Sequence, residues 1–153
     1  MKIKTNKKAP NFVLKSTSSK TFELSKLKGG LIIYFYPRDN TPGCTLETRD
    51  FSNLYSKFKN LKYEVVGISK DSMESHLNFK KKYKVPFHLL SDDKILVQKK
   101  YGIWGTKSFM GKKFKGTIRS TVAINKRKIL KTWSNVRVKG HAQEVLDFVK
   151  SNK

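Results

Sequence analysis

An uninterrupted apolar run, Leu31–Tyr36 (LIIYFY), most constrains how this chain can fold. A short run rich in β-branched and aromatic residues predicts a strand that is buried on both faces of a sheet. The turn-rich segment PRDNTPGCTLE follows it directly. Thr41 is a favoured N-cap and Pro42 a favoured first helical residue, so a helix is expected to begin inside this segment. The segment therefore occupies the carboxyl end of a buried strand, where open α/β sheets bind their ligands.

Strands and helices alternate along the rest of the chain. NFVLKSTSSKTFEL has a polar turn between two short strand-like stretches and predicts a hairpin, and EVVGIS (Glu64–Ser69) predicts a second buried strand. The other predicted elements are a short turn in SKLKGG, a helix with Phe51, Leu54, Tyr55 and Phe58 on one face, a helix from a capping box at Asp71 and Glu74 to about Tyr83, a short strand in FHLLSDD, paired strands in TIRSTVAIN and KILKTWS, and a last helix with Ala142, Val145, Leu146 and Val149 on its apolar face. This order predicts one α/β domain over residues 1–153, with a mixed sheet flanked by helices on both faces.

The net charge of +23 is extreme, with 34 basic residues against 11 acidic ones. Such a charge suits a phosphate-rich partner. However, 29 of the basic residues are Lys, whereas nucleic-acid readers rely more on the forked donors of Arg. A dedicated nucleic-acid function and a lysine-rich composition without such a partner both stay open. Weak, nonspecific association at low salt is expected in either case.

The sequence also bounds the location and the cofactors. No stretch approaches the roughly 18 apolar residues of a membrane-spanning helix, and the charged segment MKIKTNKKAPNF lacks the apolar core of a secretory signal. A reducing cytoplasm is therefore expected. The lone cysteine, Cys44, excludes a disulfide within the chain. His76, His88 and His141 show no metal-ligand spacing, so no metal site is expected.

Cys44 falls at the third helical position if the helix begins at Pro42. The free N–H groups and the positive dipole end of the helix would then stabilise its thiolate form. Helical spacing puts Cys44 on the same face as the apolar residues that follow, which predicts a thiol in a shallow, partly dry pocket. Most free cysteines are simply small buried apolar residues. Gly43 favours a reactive thiol instead, because it lets a ligand approach the backbone closely.

The pattern Pro37-x-x-x-Thr41-x-x-Cys44 resembles the active-site signature of peroxiredoxins. The segment YFYPRDNTPGCTLE is similar to the Q type, also called the bacterioferritin comigratory protein type, and the similarity extends through APNFVL, VVGISKDS, FHLLSDD, YGIWGTKSFMGKKFKGTIRSTVAI and the last helix. The resemblance implies a thioredoxin-like fold with an N-terminal β-hairpin. It also implies reduction of hydrogen peroxide and organic hydroperoxides by a cysteine thiolate, without metal, haem or another cofactor.

The resemblance assigns roles to individual residues. Cys44 matches the nucleophile that attacks the peroxide, and Thr41 the hydroxyl that orients it. Pro37 matches the residue that shields the thiol from water. Arg119, in GTIRSTV, matches a strand arginine that holds the thiolate and the peroxide oxygens, although its own context predicts only an ordinary strand residue. Glu47 matches a common acidic position, and a first-turn acid favoured by the helix dipole explains it equally well.

These roles define the expected chemistry. The thiolate attacks one peroxide oxygen, the O–O bond breaks, and Cys44 becomes a sulfenic acid. Negative charge develops on both oxygens during this step. The N–H groups of Gly43 and Cys44, the Thr41 hydroxyl and the Arg119 guanidinium would stabilise that charge.

One departure from the Q-type pattern concerns the regeneration of Cys44. Many Q-type members carry a second cysteine five residues after the first, where this chain has Arg49. The sulfenic acid must then be reduced by an external thiol: thioredoxin, glutaredoxin with glutathione, or a small thiol. A monomer is expected, as for many Q-type relatives. A basic DNA-coating protein and a peroxide sensor that oxidises a partner are the alternative functions.

Overall fold

A seven-stranded mixed sheet forms the centre of the computed structural model, which describes residues 1–152. The strands and helices, in chain order, are β1 (Val13–Ser16), β2 (Thr21–Glu23), β3 (Gly30–Phe35), α1 (Pro42–Asn60), β4 (Tyr63–Ser69), α2 (Met73–Tyr83), β5 (His88–Ser91), α3 (Leu96–Tyr101), β6 (Trp104–Phe109), β7 (Lys112–Thr117), β8 (Ser120–Asn125), β9 (Lys128–Trp133) and α4 (His141–Ser151). A short 3-10 helix, Leu24–Lys26, lies between β2 and β3.

The sheet topology puts the turn-rich segment at the carboxyl end of a central strand. The strand order is β2-β1-β5-β4-β3-β8-β9, and β3 with β4 and β4 with β5 are the two parallel pairs of neighbouring strands in this sheet. The chain passes from β3 to β4 through α1 and from β4 to β5 through α2. Both helices therefore begin near the carboxyl ends of neighbouring buried strands, and the loops that precede them lie side by side.

Successive side chains of β3 point to opposite faces of the sheet and pack in two separate cores. Ile32 and Tyr34 pack in the core that includes side chains of α1, α2 and α4. Leu31, Ile33 and Phe35 pack in the second core, which α3 and the N-terminal segment cover. Every residue of β3 is buried, because helices cover both faces as predicted.

Aromatic packing fixes the longest helix, α1, against the sheet. The Tyr34 ring stacks on Phe51 with 4.8 Å between ring centroids, and the Tyr34 hydroxyl lies 2.9 Å from the Thr48 hydroxyl. The first turns of α1 are therefore held at a defined height above β3. The outer face of α1 is polar, and no helix among residues 1–152 is long and apolar enough to cross a membrane.

The predicted N-terminal hairpin and the central strands are confirmed, but the predicted capping box is wrong. Ser72 rather than Asp71 is the N-cap of α2, and its Oγ accepts a hydrogen bond from the Ser75 N–H at 3.2 Å. The Asp71 carboxylate instead accepts hydrogen bonds from the Asp39 N–H and the Ser69 hydroxyl. The Asp71 carboxylate thus binds the loop after β3 instead of capping α2.

The segment between α3 and β8 was not predicted. Strands β6 and β7 form a separate two-stranded ribbon, and most of their residues are exposed or half-buried, so they lack the apolar alternation of a strand in a sheet. Helix α3 was also missed because six residues are too few to display a helical period. The predicted strand TIRSTVAIN divides at its start, since Thr117 ends β7 and Ser120 begins β8. Arg119 therefore lies in a connection and is not a strand residue.

Candidate active site

The start of α1 positions Cys44. Thr41 is the N-cap, with extended backbone angles, and Pro42 is the first helical residue, as predicted. The Thr41 side chain makes no capping bond, and its hydroxyl donates to the Arg38 carbonyl at 2.9 Å. Among the described residues, the N–H groups of Gly43 and Cys44 consequently have no acceptor. Two free backbone donors lie beside a sulfur whose residue is only 1% exposed.

A guanidinium group joins the sulfur to a buried carboxylate. The Arg119 Nη2 donates to Cys44 Sγ at 3.2 Å, and Nη1 of the same residue donates to Glu47 Oε1 at 2.7 Å. Cys44 and Glu47 lie one turn apart on α1, whereas Arg119 comes from the connection between β7 and β8. The Arg119 backbone is also fixed, because its carbonyl accepts a hydrogen bond from the Val136 N–H at 3.0 Å.

Burial sets the electrostatics of this triad. It raises the pKa of Glu47 to about 7, although the neighbouring Arg119 acts in the opposite direction. Burial alone would lower the pKa of Arg119, but the charges of Glu47 and Cys44 reverse the effect and raise it. Arg119 therefore remains a cation, and Glu47 is near its titration midpoint at neutral pH. The second carboxylate oxygen of Glu47 has no hydrogen-bond partner among residues 1–152.

The remaining predicted residues surround the triad. Pro37 and Arg119 line one cavity of about 430 Å³ together with residues of β6 and of the loop after β9. A Cβ atom placed on Gly43 would lie 3.4 Å from Arg119 Nη2, so a larger side chain would crowd the guanidinium. Arg49, in the position of the usual second cysteine, is exposed on the outer face of α1. The fold thus brings Pro37, Gly43, Cys44, Glu47 and Arg119 together, with Thr41 at the helix start.

A buried hydrogen-bond network that the sequence analysis missed fixes the loop between β3 and α1. Asp39 is 4% exposed, and its carboxylate accepts bonds from the Tyr36 hydroxyl at 2.6 Å and the Ser75 hydroxyl at 2.8 Å. Its own N–H donates to the Asp71 carboxylate at 2.8 Å. Tyr36 precedes the loop and Ser75 lies in α2, so Asp39 ties the loop to two elements of the core.

His76 completes this network from α2. Its Nε2 lies 3.0 Å from the Leu90 carbonyl, and its Nδ1 lies 2.8 Å from Asp39 Oδ2. The Leu90 carbonyl can only accept, so Nε2 donates to it, while Nδ1 lies against the Asp39 carboxylate. Ligand atoms of Asp39, Asp71 and His76 all lie within 4.8 Å of one another. Histidine spacing alone could not reveal this cluster, because two of its members are aspartates from separate loops.

We expect the substitution Asp39→Asn to destabilise the protein by about 3 kcal/mol, because it removes the charge from a buried, hydrogen-bonded pair. Urea denaturation monitored by circular dichroism measures this loss. Asp93→Asn is the matched control, since Asp93 is exposed and should change stability by no more than about 0.5 kcal/mol. An Asp39→Asn protein as stable as the control would show that the network contributes little.

Glu47 should make stability depend on pH. Burial raises its pKa from an ordinary value of 4.5 to about 7 in the folded protein, so the folded state binds this proton more strongly than the unfolded state. The stabilisation from the bound proton is complete below about pH 4.5 and is lost as the pH rises through about 7, with a slope of at most about 1.4 kcal/mol per pH unit. The difference in unfolding free energy between wild type and Glu47→Gln should fall over this range.

Urea denaturation at pH 5, 6, 7 and 8 measures that difference. Glu74→Gln provides the control, because Glu74 is exposed in the first turn of α2 and its substitution should give a difference with little pH dependence. A flat difference for Glu47→Gln would contradict the raised pKa.

Comparisons with known proteins agree with this geometry. The model of the AhpC/TSA family matches residues 5–132. Peroxiredoxin Bcp from Bacillus subtilis is 40% identical over 152 residues, which cover 98% of this chain and 97% of that protein. A putative peroxiredoxin bcp from Coxiella burnetii is 42% identical over 148 residues, with 95% and 98% coverage.

Solved structures give the same result for the fold. A cysteine-to-serine mutant of PrxQ from Xylella fastidiosa superposes with a TM-score of 0.93 at 32% identity, covering 99% of this chain and 98% of the other. The bacterioferritin comigratory protein of Xanthomonas campestris, described for its alkyl peroxide reduction activity, gives a TM-score of 0.87 at 34% identity, with 92% and 91% coverage. From its sequence, its thioredoxin-like fold and these relatives, the chain belongs to the AhpC/TSA family and, within it, to the peroxiredoxins of the Bcp or Q type.

Proposed function

We propose that this chain is a thiol-dependent peroxidase that reduces hydrogen peroxide and organic hydroperoxides with the Cys44 thiolate as nucleophile. The observation that carries this proposal is the position of the sulfur, which lies beside a guanidinium and two free N–H groups at the start of a helix. These donors stabilise a thiolate before the reaction and oxygen-centred charge during it.

The reaction begins when the Cys44 thiolate attacks the nearer oxygen of the hydroperoxide. A sulfur–oxygen bond forms, the O–O bond breaks, and its electron pair leaves with the distal oxygen as alkoxide or hydroxide. That anion takes up a proton and departs as alcohol or water, and Cys44 remains as sulfenic acid. The sulfur is oxidised by two electrons and the peroxide is reduced by two.

Each surrounding residue has a separate part in this step. Arg119 contacts the sulfur and stabilises the charge that passes from sulfur to oxygen, and Glu47 acts as a positioning residue because it holds the other guanidinium nitrogen. Thr41 donates a hydrogen bond to the Arg38 carbonyl, which leaves lone pairs on its oxygen that can accept a hydrogen bond from the peroxide. Pro37, half-buried at the cavity wall, limits the access of water to the thiol.

Regeneration of Cys44 requires a reductant from outside the chain. The sequence contains one cysteine, and Arg49 occupies the position of the usual second one, so we propose a single-cysteine cycle. Thioredoxin, glutaredoxin with glutathione, or a small thiol would attack the sulfenic acid, release water and form a mixed disulfide, and a second thiol would then release Cys44. A monomer in a thiol-rich cytoplasm fits this cycle.

We expect Arg119→Ala to lower the second-order rate constant for peroxide by roughly 100-fold, because one preorganised charge-stabilising donor is lost. Stopped-flow competition against a reference peroxidase measures this constant. Arg137→Ala removes the same charge from an exposed position outside the triad and should remain within about threefold of wild type. If both variants react at the wild-type rate, Arg119 has no part in the reaction.

Oxidation by one equivalent of peroxide should add one oxygen to the protein. Intact mass spectrometry measures the adduct, and a dimedone-type reagent should trap it as the sulfenic acid. Excess peroxide should extend the oxidation to sulfinic and sulfonic forms, because no internal thiol intercepts the first product. Cys44→Ser should show neither adduct nor turnover. Rapid, nearly complete formation of a disulfide-linked dimer would refute the recessed-thiol mechanism, because Cys44 is too buried to meet a second copy.

A second candidate, nucleic-acid coating, is favoured by one feature of the charge distribution. Residues 94–143 contain 14 Lys and Arg residues and neither Asp nor Glu. This segment spans α3, the β6–β7 ribbon, the interior strand β8 and the edge strand β9. This segment therefore contributes +14 of the net charge of +23, although lysines occur throughout the chain. We propose that this charge gives only weak association with nucleic acid, independent of its sequence.

The expected DNA affinity is strongly dependent on salt. Fluorescence anisotropy with a labelled duplex of random sequence should show binding at 50 mM salt and its loss by about 200 mM, because each phosphate contact releases a counterion. A single-stranded probe should behave similarly. Tight retention of duplex at physiological salt would instead favour a coating function, which the peroxidase site would accompany.

A further inference from the structure

The cavity beside the active site has a consistent chemical character. Its volume is about 430 Å³, and it is lined by Pro37, Thr106, Lys107, Ser108, Ile118, Arg119, Asn135 and Val136. This size suits a small molecule. All of its lining residues except Pro37 belong to the acid-free segment 94–143, so the wall carries two cations and no carboxylate. Hydroxyl and amide groups supply the other polar contacts.

The two cations in this wall differ in what they already bind. Arg119 is engaged with Glu47 and Cys44. Lys107, on β6, is half-buried, and none of the ion pairs formed by the described residues includes it. Partial burial and the nearby Arg119 lower the pKa of Lys107, whereas Cys44 raises it. Lys107 therefore lies within electrostatic reach of the triad and has no anionic partner of its own.

Resting on the proposed function, we infer that this cavity binds a small, carboxylate-bearing thiol as the reductant of Cys44, with Lys107 pairing with the carboxylate. The sulfenic acid is recessed and has no internal thiol, so the incoming sulfur must pass the residues that shield it. Arg119 lines this cavity and also contacts the sulfur, so the cavity is separated from Cys44 by the guanidinium, and a thiol bound there would lie next to the sulfenic acid. A carboxylate near Lys107 would orient the thiol for attack.

The chemical step is balanced. The thiol sulfur attacks Cys44 sulfur, a disulfide bond forms, and the sulfenic oxygen leaves as water after taking up the thiol proton. A second thiol molecule then attacks the mixed disulfide, which returns the Cys44 thiol and yields the oxidised disulfide of the small thiol. Two thiols are oxidised for each sulfenic acid reduced.

A series of simple thiols tests the inference on the unmodified protein. Protein oxidised with one equivalent of peroxide is mixed with 3-mercaptopropionate, 2-mercaptoethanol or cysteamine. Mass spectrometry of quenched samples then follows the loss of the sulfenic acid. Rates are corrected for the thiolate fraction of each reagent. We expect mercaptopropionate to react about tenfold or more faster than cysteamine, with mercaptoethanol between them, and this preference to shrink from 50 to 500 mM salt.

Variants of Lys107 test whether this residue causes the preference for the anionic thiol. Lys107→Gln should reduce it severalfold, Lys107→Glu should reverse it, and Lys107→Arg should preserve it. Lys112→Gln is the matched control, because it removes the same charge from an exposed residue of the same ribbon outside the cavity and should keep the wild-type preference. Equal rates for the three thiols, or equal effects of Lys107→Gln and Lys112→Gln, would overturn the inference.

The experiment separates this inference from the proposed function. If the wild-type protein forms no one-oxygen adduct, the peroxidase proposal fails before any thiol is added. If the adduct forms but its reduction is indifferent to the charge of the thiol, only the cavity assignment fails. The rate of Cys44 oxidation is also compared for a carboxylated and a neutral hydroperoxide. If the carboxylate speeds oxidation by the peroxide but not reduction by the thiol, the cavity binds the oxidant, and the inference is overturned.

Discussion

The bridge from Arg119 to both Cys44 and Glu47 is the interaction on which the site depends. Its two hydrogen bonds join residues 72 and 75 positions apart in the chain, so it exists only after α1 and the β7–β8 connection are in place. A buried carboxylate without its guanidinium would be costly, and a guanidinium without the carboxylate would lose its orientation. The Cys44 sulfur is thus held by a contact that also secures the fold around it.

The sheet supplies the precision that this bridge requires. The stack of Tyr34 on Phe51 and the hydroxyl contact between Tyr34 and Thr48 set α1 against β3. Strand β8 pairs with β3 along its full length, from Gly30 opposite Asn125 to Phe35 opposite Ser120. The residue before β8 is Arg119, so pairing in this register delivers the guanidinium to the helix start. A slip by one residue would turn it to the other face.

Two polar features extend the candidate site beyond Cys44. The Asp39–His76 network holds the loop between β3 and α1 in place. The acid-free segment 94–143 supplies the positively charged wall of the neighbouring cavity. They differ in exposure: Asp39 and His76 are buried and hydrogen-bonded, whereas the positive wall lines a cavity of about 430 Å³. The raised pKa of Glu47 follows from the same burial that protects the thiol. Shielding and charge tuning therefore have a common cause.

Local patterns in the sequence determined much of this protein. The apolar run predicted β3, the Thr-Pro pair predicted the start of α1, and their order put Cys44 at a helix N-terminus, since each of these depends on neighbours within a few residues. Only the tertiary structure decided the rest. Arg119 needs strand register, Asp39 and His76 meet through packing of separate loops, and Lys107 is one lysine among 29 until the ribbon brings it to the cavity. The exposed ribbon itself left no apolar period, because burial on one face is what creates such a period.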